Sequence, residues 1–126
     1  MSSYLEPFIQ QISNGEVVAI PTETVYGLAA HIWNPVAIDK VFRLKNRPSD
    51  NPLIVHIAQE SQLADLVSDI SPLHRKLINQ FWPGPLTILF PKQSRVLSLV
   101  TAGLPTVAVR MPKHPITLEL IRKTGP

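Results

Sequence analysis

Two strand-like runs each carry a polar side chain that packing alone does not call for. "LIVHI" (53–57) holds His56 and "VAVRM" (107–111) holds Arg110. Period-two alternation puts Leu53, Val55 and Ile57 on one face of the first run, and Ile54 and His56 on the other. In the second run Val107, Val109 and Met111 share a face opposite Ala108 and Arg110. A guanidinium taken out of water needs an anion or a set of acceptors, because an unpaired buried charge is strongly destabilising. An internal carboxylate would satisfy Arg110, and a hydrogen-bonded core imidazole would account for His56. Their matching positions point instead to one polar hollow shared by both strands. A small carboxylate-bearing ligand suits that hollow, with Arg110 as a bidentate clamp.

A second cluster precedes the first run. In "KNRPSDNPLIVHI" (45–57), Lys45, Arg47, Ser49 and Asn51 fall on alternate residues, and the prolines favour extended backbone there. Extended backbone would turn two cations and two polar groups to one side, which is an oxyanion or phosphate site without a glycine-rich loop. A solvated basic loop is the plainer alternative. Neither GxxxxGK[ST] nor GxGxxG occurs, so no standard nucleotide loop is present.

"IPTETVYGLAA" (20–30) supplies hydroxyls and a carboxylate at a strand end: Thr22, Glu23, Thr24 and Tyr26, with Gly27 allowing close approach of backbone. These groups suit an amino acid or a sugar, although a turn could satisfy its own hydroxyls. "FWPGPLTILF" (81–90) reads as a rigid lead-in to a strand, with Trp82 packing and Thr87 either in the core or facing a ligand. "TAGLPTVAVR" (101–110) places Thr101, Gly103 and Thr106 in a loop whose amides could serve a ligand.

These residues need a scaffold, and the punctuation supplies one. Asn34-Pro35, Ser71-Pro72 and Pro115 mark helix starts, where proline's missing N–H costs nothing at the first position. Gly125 is a C-terminal stop for the last helix. Leu5, Phe8, Ile9 and Ile12 recur at helical spacing ahead of Gly15. Between the helices lie apolar runs at 17–20, 53–57, 86–90 and 107–111. Strand and helix patterns alternate, so the fold class is α/β, with a sheet covered by helices and open to mixed strand direction. One domain spans 1–126.

Composition narrows the class. The chain has 126 residues, 44% apolar and 17% charged, as expected of a single globular domain. It has no cysteine, which excludes disulfides and thiolate chemistry. No apolar run reaches about 18 residues, so no membrane helix is expected, and the opening "MSSYLEPFIQQ" is not a secretory signal. A cytoplasmic setting is the default. The net charge of +3 fits an anionic ligand and is too small to argue for nucleic acid. His31, His74 and His114 have no metal-ligand spacing, no GxSxG elbow occurs, and no carboxylate pair stands out among nine acids. No protein-built metal site is expected.

The stretches "PTETVYGL", "KNRPSDNPLIVHI", "WPGPLT" and "TVAVRMPKHP", in that order, closely resemble the Sua5/YrdC/YciO family of threonylcarbamoyl-AMP synthases. The resemblance covers nearly the whole chain. It implies a twisted mixed sheet flanked by helices around a positively charged cavity. It further implies that L-threonine, bicarbonate and ATP combine into L-threonylcarbamoyladenylate, with Mg²⁺ carried by the phosphates and pyrophosphate released. A separate tRNA threonylcarbamoyl-transferase complex would use that product at adenosine 37 of ANN-decoding tRNAs. By position, Thr24, Tyr26 and His56 would contact threonine, and Arg110 would clamp its carboxylate. Arg47, Asn51 and Thr106 would bind ATP, and Lys45 would sit at the phosphates or the carbamate. Lys45 and Arg47 would be the catalytic pair.

The family continues with a further strand and a "PSAN"-type motif that this chain does not reach. The expectation is therefore a module incomplete at its C-terminus, with weak or no catalysis. The competing reading from another class is a non-catalytic RNA-binding module of the same fold, and direct tRNA contact is compatible with either. A relative acting on another carbamoyl or acyl adenylate is a third.

Overall fold

The computed structural model describes residues 6–14, 16–21, 26–44 and 53–126. Helix α1 (Glu6–Ser13) leads to strand β1 (Val18–Pro21), which pairs antiparallel with β2 (Tyr26–Ala29). Helix α2 (Pro35–Leu44) comes before β3 (Ile54–His56), a 3₁₀ segment (Glu60–Asp65) and helix α3 (Pro72–Phe81). Strand β4 (Ile88–Pro91), the short helix α4 (Ser98–Thr101), strand β5 (Thr106–Arg110) and helix α5 (Pro115–Thr124) complete the order. β5 lies between β3, which runs parallel to it, and β4, which runs antiparallel. The α/β class with a mixed sheet and flanking helices is as the sequence implied.

Helix starts follow from local chemistry. Asn34 Oδ1 accepts the Ala37 N–H at 3.0 Å, with Pro35 in the first turn of α2. At α3, Ser71 Oγ accepts the His74 N–H at 3.2 Å, and His74 Nδ1 accepts the Ser71 N–H at 3.1 Å. That reciprocal arrangement satisfies two donors that a helix end otherwise leaves open. Gly125 sits at φ 88°, a left-handed value that ends α5, and its N–H donates to Ile121 O at 2.8 Å.

The alternation read from the strands is realised. Val55, Val107, Val109, Ile88 and Phe90 all turn to one side, where they meet Ile38 and Phe42 of α2 and Ile78 of α3 in the main core. Phe90 is fully buried, with its ring centroid 4.5 Å from that of His74 and 6.2 Å from that of Trp82. The sheet's other face is only partly covered, with Ala108 buried at its centre. Ile54 (48% exposed) and Leu89 (61%) lie there, on either side of their common register partner Ala108. A small satellite cluster joins Ile12 of α1 to Leu120 of α5.

Three elements go beyond the sequence expectation. β2 falls where the sequence suggests a strand end and turn, because "YGLA" has little intrinsic strand preference and gains its form by pairing with β1. The 3₁₀ segment is closed by Gln62, whose side-chain carbonyl accepts the Ala58 and Gln59 N–H groups. α4 changes the reading of the 101–105 loop. The Gly103 N–H donates to Ser98 O and the Leu104 N–H to Thr101 O, so those two amides close α4 and do not serve a ligand. Thr101 is likewise buried.

Candidate functional site

His56 and Arg110 end their strands side by side. The parallel β3–β5 register makes them direct partners, and the Ile57 N–H donates to Arg110 O at 3.0 Å just beyond the pair. Both side chains belong to the partly covered face and are half-buried. His56 Nδ1 lies 3.2 Å from Ile54 O of its own strand, which orients the ring along that face. Arg110 Nε–H donates to Gly84 O at 3.0 Å. The two strands thus deliver a guanidinium and an imidazole to one place, as the sequence spacing implied.

Gly84 is the participant that sequence reasoning missed. It belongs to the "WPGP" turn, and its N–H donates to Met111 O at 2.9 Å, one residue past Arg110. Trp82 packs in the core and donates from Nε1 to Leu86 O at 2.8 Å across the turn. A glycine between two prolines was the available signal. By sequence it suggests only a stiff lead-in, since a carbonyl acceptor leaves no trace in side-chain chemistry.

Thr106 begins β5 and shares the partly covered face by alternation with Ala108 and Arg110. Four residue steps along the strand separate it from Arg110, about 13 Å at the usual rise. The face therefore has an Arg110–His56 end and a Thr106 end. Thr87 precedes the core-facing Ile88, so alternation assigns it to the same side.

The remaining assignments cannot be placed on this face. Thr24, Lys45, Arg47 and Asn51 lie outside the described residues. Tyr26 lies on β2 opposite Pro21, and only its backbone is described. Among the described residues no cluster of three histidines or acids could hold a metal ion, and no helix is long and apolar enough to cross a membrane.

Comparison with known proteins sets this geometry in context. The family described as Sua5_yciO_yrdC, Telomere recombination, matches residues 10–126. The chain belongs to the Sua5/YrdC/YciO family. Among family members, the threonylcarbamoyl-AMP synthase of Bacillus subtilis is 54% identical over 115 residues, covering 90% of this chain and 33% of that protein. The synthase of Pyrococcus abyssi is 51% identical over 110 residues, covering 87% of this chain and 32% of its own length. The crystal structure of P. abyssi Sua5 complexed with L-threonine superposes with a TM-score of 0.92 at 47% identity, over 95% of this chain and 35% of that one. Escherichia coli YciO, at 19% identity and a TM-score of 0.87, shares the fold. The chain spans about a third of the length of the first two synthases.

Proposed function

We propose that this chain carries the threonine-binding part of an L-threonylcarbamoyladenylate synthase, a nucleotidyltransferase acting on L-threonine, bicarbonate and Mg²⁺-bound ATP. The observation that carries the reading is the His56–Arg110 pair on the partly covered sheet face, in a fold whose P. abyssi relative was crystallised with L-threonine. Arg110 receives the threonine carboxylate, and His56, Thr24 and Tyr26 surround the amino acid. Thr106, at the far end of β5, faces the nucleotide together with Arg47 and Asn51.

The chemistry asks little acid–base work of the protein. The threonine amine adds to the carbon of bicarbonate, water leaves, and a carbamate forms. A carbamate oxygen then attacks the α-phosphorus of ATP, the bond to the bridging oxygen breaks, and pyrophosphate departs. Positioning and charge neutralisation dominate such nucleotidyl transfer, and Lys45 and Arg47 with the phosphate-borne Mg²⁺ supply the positive charge. The adenylate then passes to the complex that modifies tRNA, which makes the cytoplasm the place of action.

The test is ligand-linked thermal stability. L-threonine raises the melting temperature, ATP raises it further, and the two together exceed the sum, because each ligand favours the pocket the other needs. Any threonylcarbamoyladenylate that mass spectrometry detects requires all three substrates. A melting temperature indifferent to L-threonine, with RNA affinity that falls steeply as salt rises, would replace this reading with the RNA-binding one.

A further inference from the structure

We propose that Ala108 is a specificity-determining residue, the floor of a groove along β5 through which the carbamate–phosphate link of the joined adenylate passes. The groove leads from the His56–Arg110 pair to Thr106. This rests on the reading of those two ends as the amino-acid and nucleotide ends, and it adds what the middle of the strand must allow.

Ile54, Ala108 and Leu89 form one row across the three strands, with Ala108 the register partner of both others. Ala108 is only 9% exposed, between Ile54 at 48% and Leu89 at 61%. A methyl group between two taller side chains loses its surface to them while they keep theirs. That is the profile of a groove, with Ala108 as floor and Ile54 and Leu89 as walls. Strands spaced about 4.8 Å apart put the two wall Cα atoms about 10 Å from each other. His56 and Arg110 lie two residues beyond this row in one direction. Thr106, with Pro91 as its register partner, lies two residues beyond it in the other.

Local preference argues against alanine at this place. Alanine is depleted in strands, and its neighbours Val107 and Val109 are the β-branched residues that a central strand favours. A third valine at 108 would suit the strand and fill the groove. A position that departs from local preference, on the face the core does not use, marks space kept for function. The length of the link fits that space. Two residues of strand measure about 6.7 Å. Five covalent bonds separate the carboxylate carbon of threonylcarbamoyladenylate from its phosphorus, about 6 Å when extended. A carboxylate held at Arg110 therefore brings the phosphorus over Ala108 and sends the ribose on towards Thr106. L-Threonine alone ends short of the row.

The experiment is calorimetric titration with two probes, L-threonine and a stable analogue of threonylcarbamoyladenylate in which a sulfamate replaces the phosphate. In Ala108→Val the analogue binds about tenfold more weakly, the loss expected when extra methyl groups crowd a fitted space. L-Threonine binds within about twofold of wild type, because it does not reach the row. Ala108→Ser adds little volume and keeps the analogue within about threefold of wild type, so size and not mere substitution is what counts. A general loss of structure in Ala108→Val would weaken both probes together. Leu89→Trp then decides the matter, since it narrows the same groove from an exposed wall and weakens the analogue alone. Unchanged analogue affinity in both Ala108→Val and Leu89→Trp overturns the proposal. So does an equal loss for both probes in Leu89→Trp. A wild type that binds neither probe sinks the reading of the two ends, and the groove with it. Binding of both probes by the wild type and by both narrowed variants alike sinks the groove alone.

Discussion

His56 and Arg110 are cross-strand partners at the ends of parallel strands β3 and β5, on the face that the core does not use. Neighbouring strands run about 4.8 Å apart, so a molecule of amino-acid size can touch both side chains at once. If both hold the same ligand, His56→Ala and Arg110→Ala each weaken L-threonine binding, and the double variant loses less than the sum. The expected coupling is at least about 0.5 kcal/mol, read from a calorimetric double-mutant cycle. Strict additivity would separate the two residues into different sites.

The same face predicts a division of labour along β5. Thr106 lies about 13 Å from Arg110 by strand rise, beyond the span of a threonine molecule. Thr106→Val removes a hydroxyl with little change of shape. It should weaken ATP binding several-fold and leave L-threonine affinity within twofold. Equal loss for both ligands would contradict an amino acid at one end and a nucleotide at the other.

How much of this was legible in the sequence differs by element. Strand alternation gave away the two faces of β3 and β5, because a polar residue in an apolar run has only one side to occupy. Asn34, Ser71 and Gly125 announced helix ends, because caps are local and use side-chain atoms or a left-handed φ. The parallel pairing of His56 with Arg110 joins residues far apart in the chain; their equivalent placement suggests a shared hollow but specifies neither the pairing nor its register. Gly84 was illegible as a participant, since its contribution is a main-chain carbonyl. α4 was hidden because four residues are too few to show a helical period. Lys45, Arg47 and Asn51 stand out by alternate spacing and Thr24 by its place at a strand end, but their individual roles rest on the family resemblance, and all four lie outside the described residues.

The α3 cap gives a prediction independent of any ligand. Ser71→Ala removes the acceptor for the His74 N–H and leaves His74 Nδ1 bonded to the residue 71 N–H. The expected loss is about 1 kcal/mol, typical of a single cap. Urea denaturation at constant m-value reads it. A change below a few tenths would show that α3 is held by the packing of Ile78, Leu77 and His74 rather than by its cap.

Phe90 and Leu89 are adjacent on β4, and they test the two faces of the sheet directly. Phe90 is fully buried between His74 and Trp82, whereas Leu89 is 61% exposed on the other face. Truncating Phe90 to alanine removes apolar surface from the core and leaves a cavity that the surrounding helices cannot fill, a change that costs about 3–5 kcal/mol in comparable cores. Domains of this size are stable by roughly 5–15 kcal/mol in total, so Phe90→Ala brings the protein near unfolding. Leu89→Ala stays within about 0.5 kcal/mol of wild type, because its side chain has little packing to lose. Both are read by chemical denaturation of the ligand-free protein. Similar costs at the two positions would mean that both faces of the sheet are covered. A ligand would then have no access to the side of the sheet on which His56 and Thr106 lie.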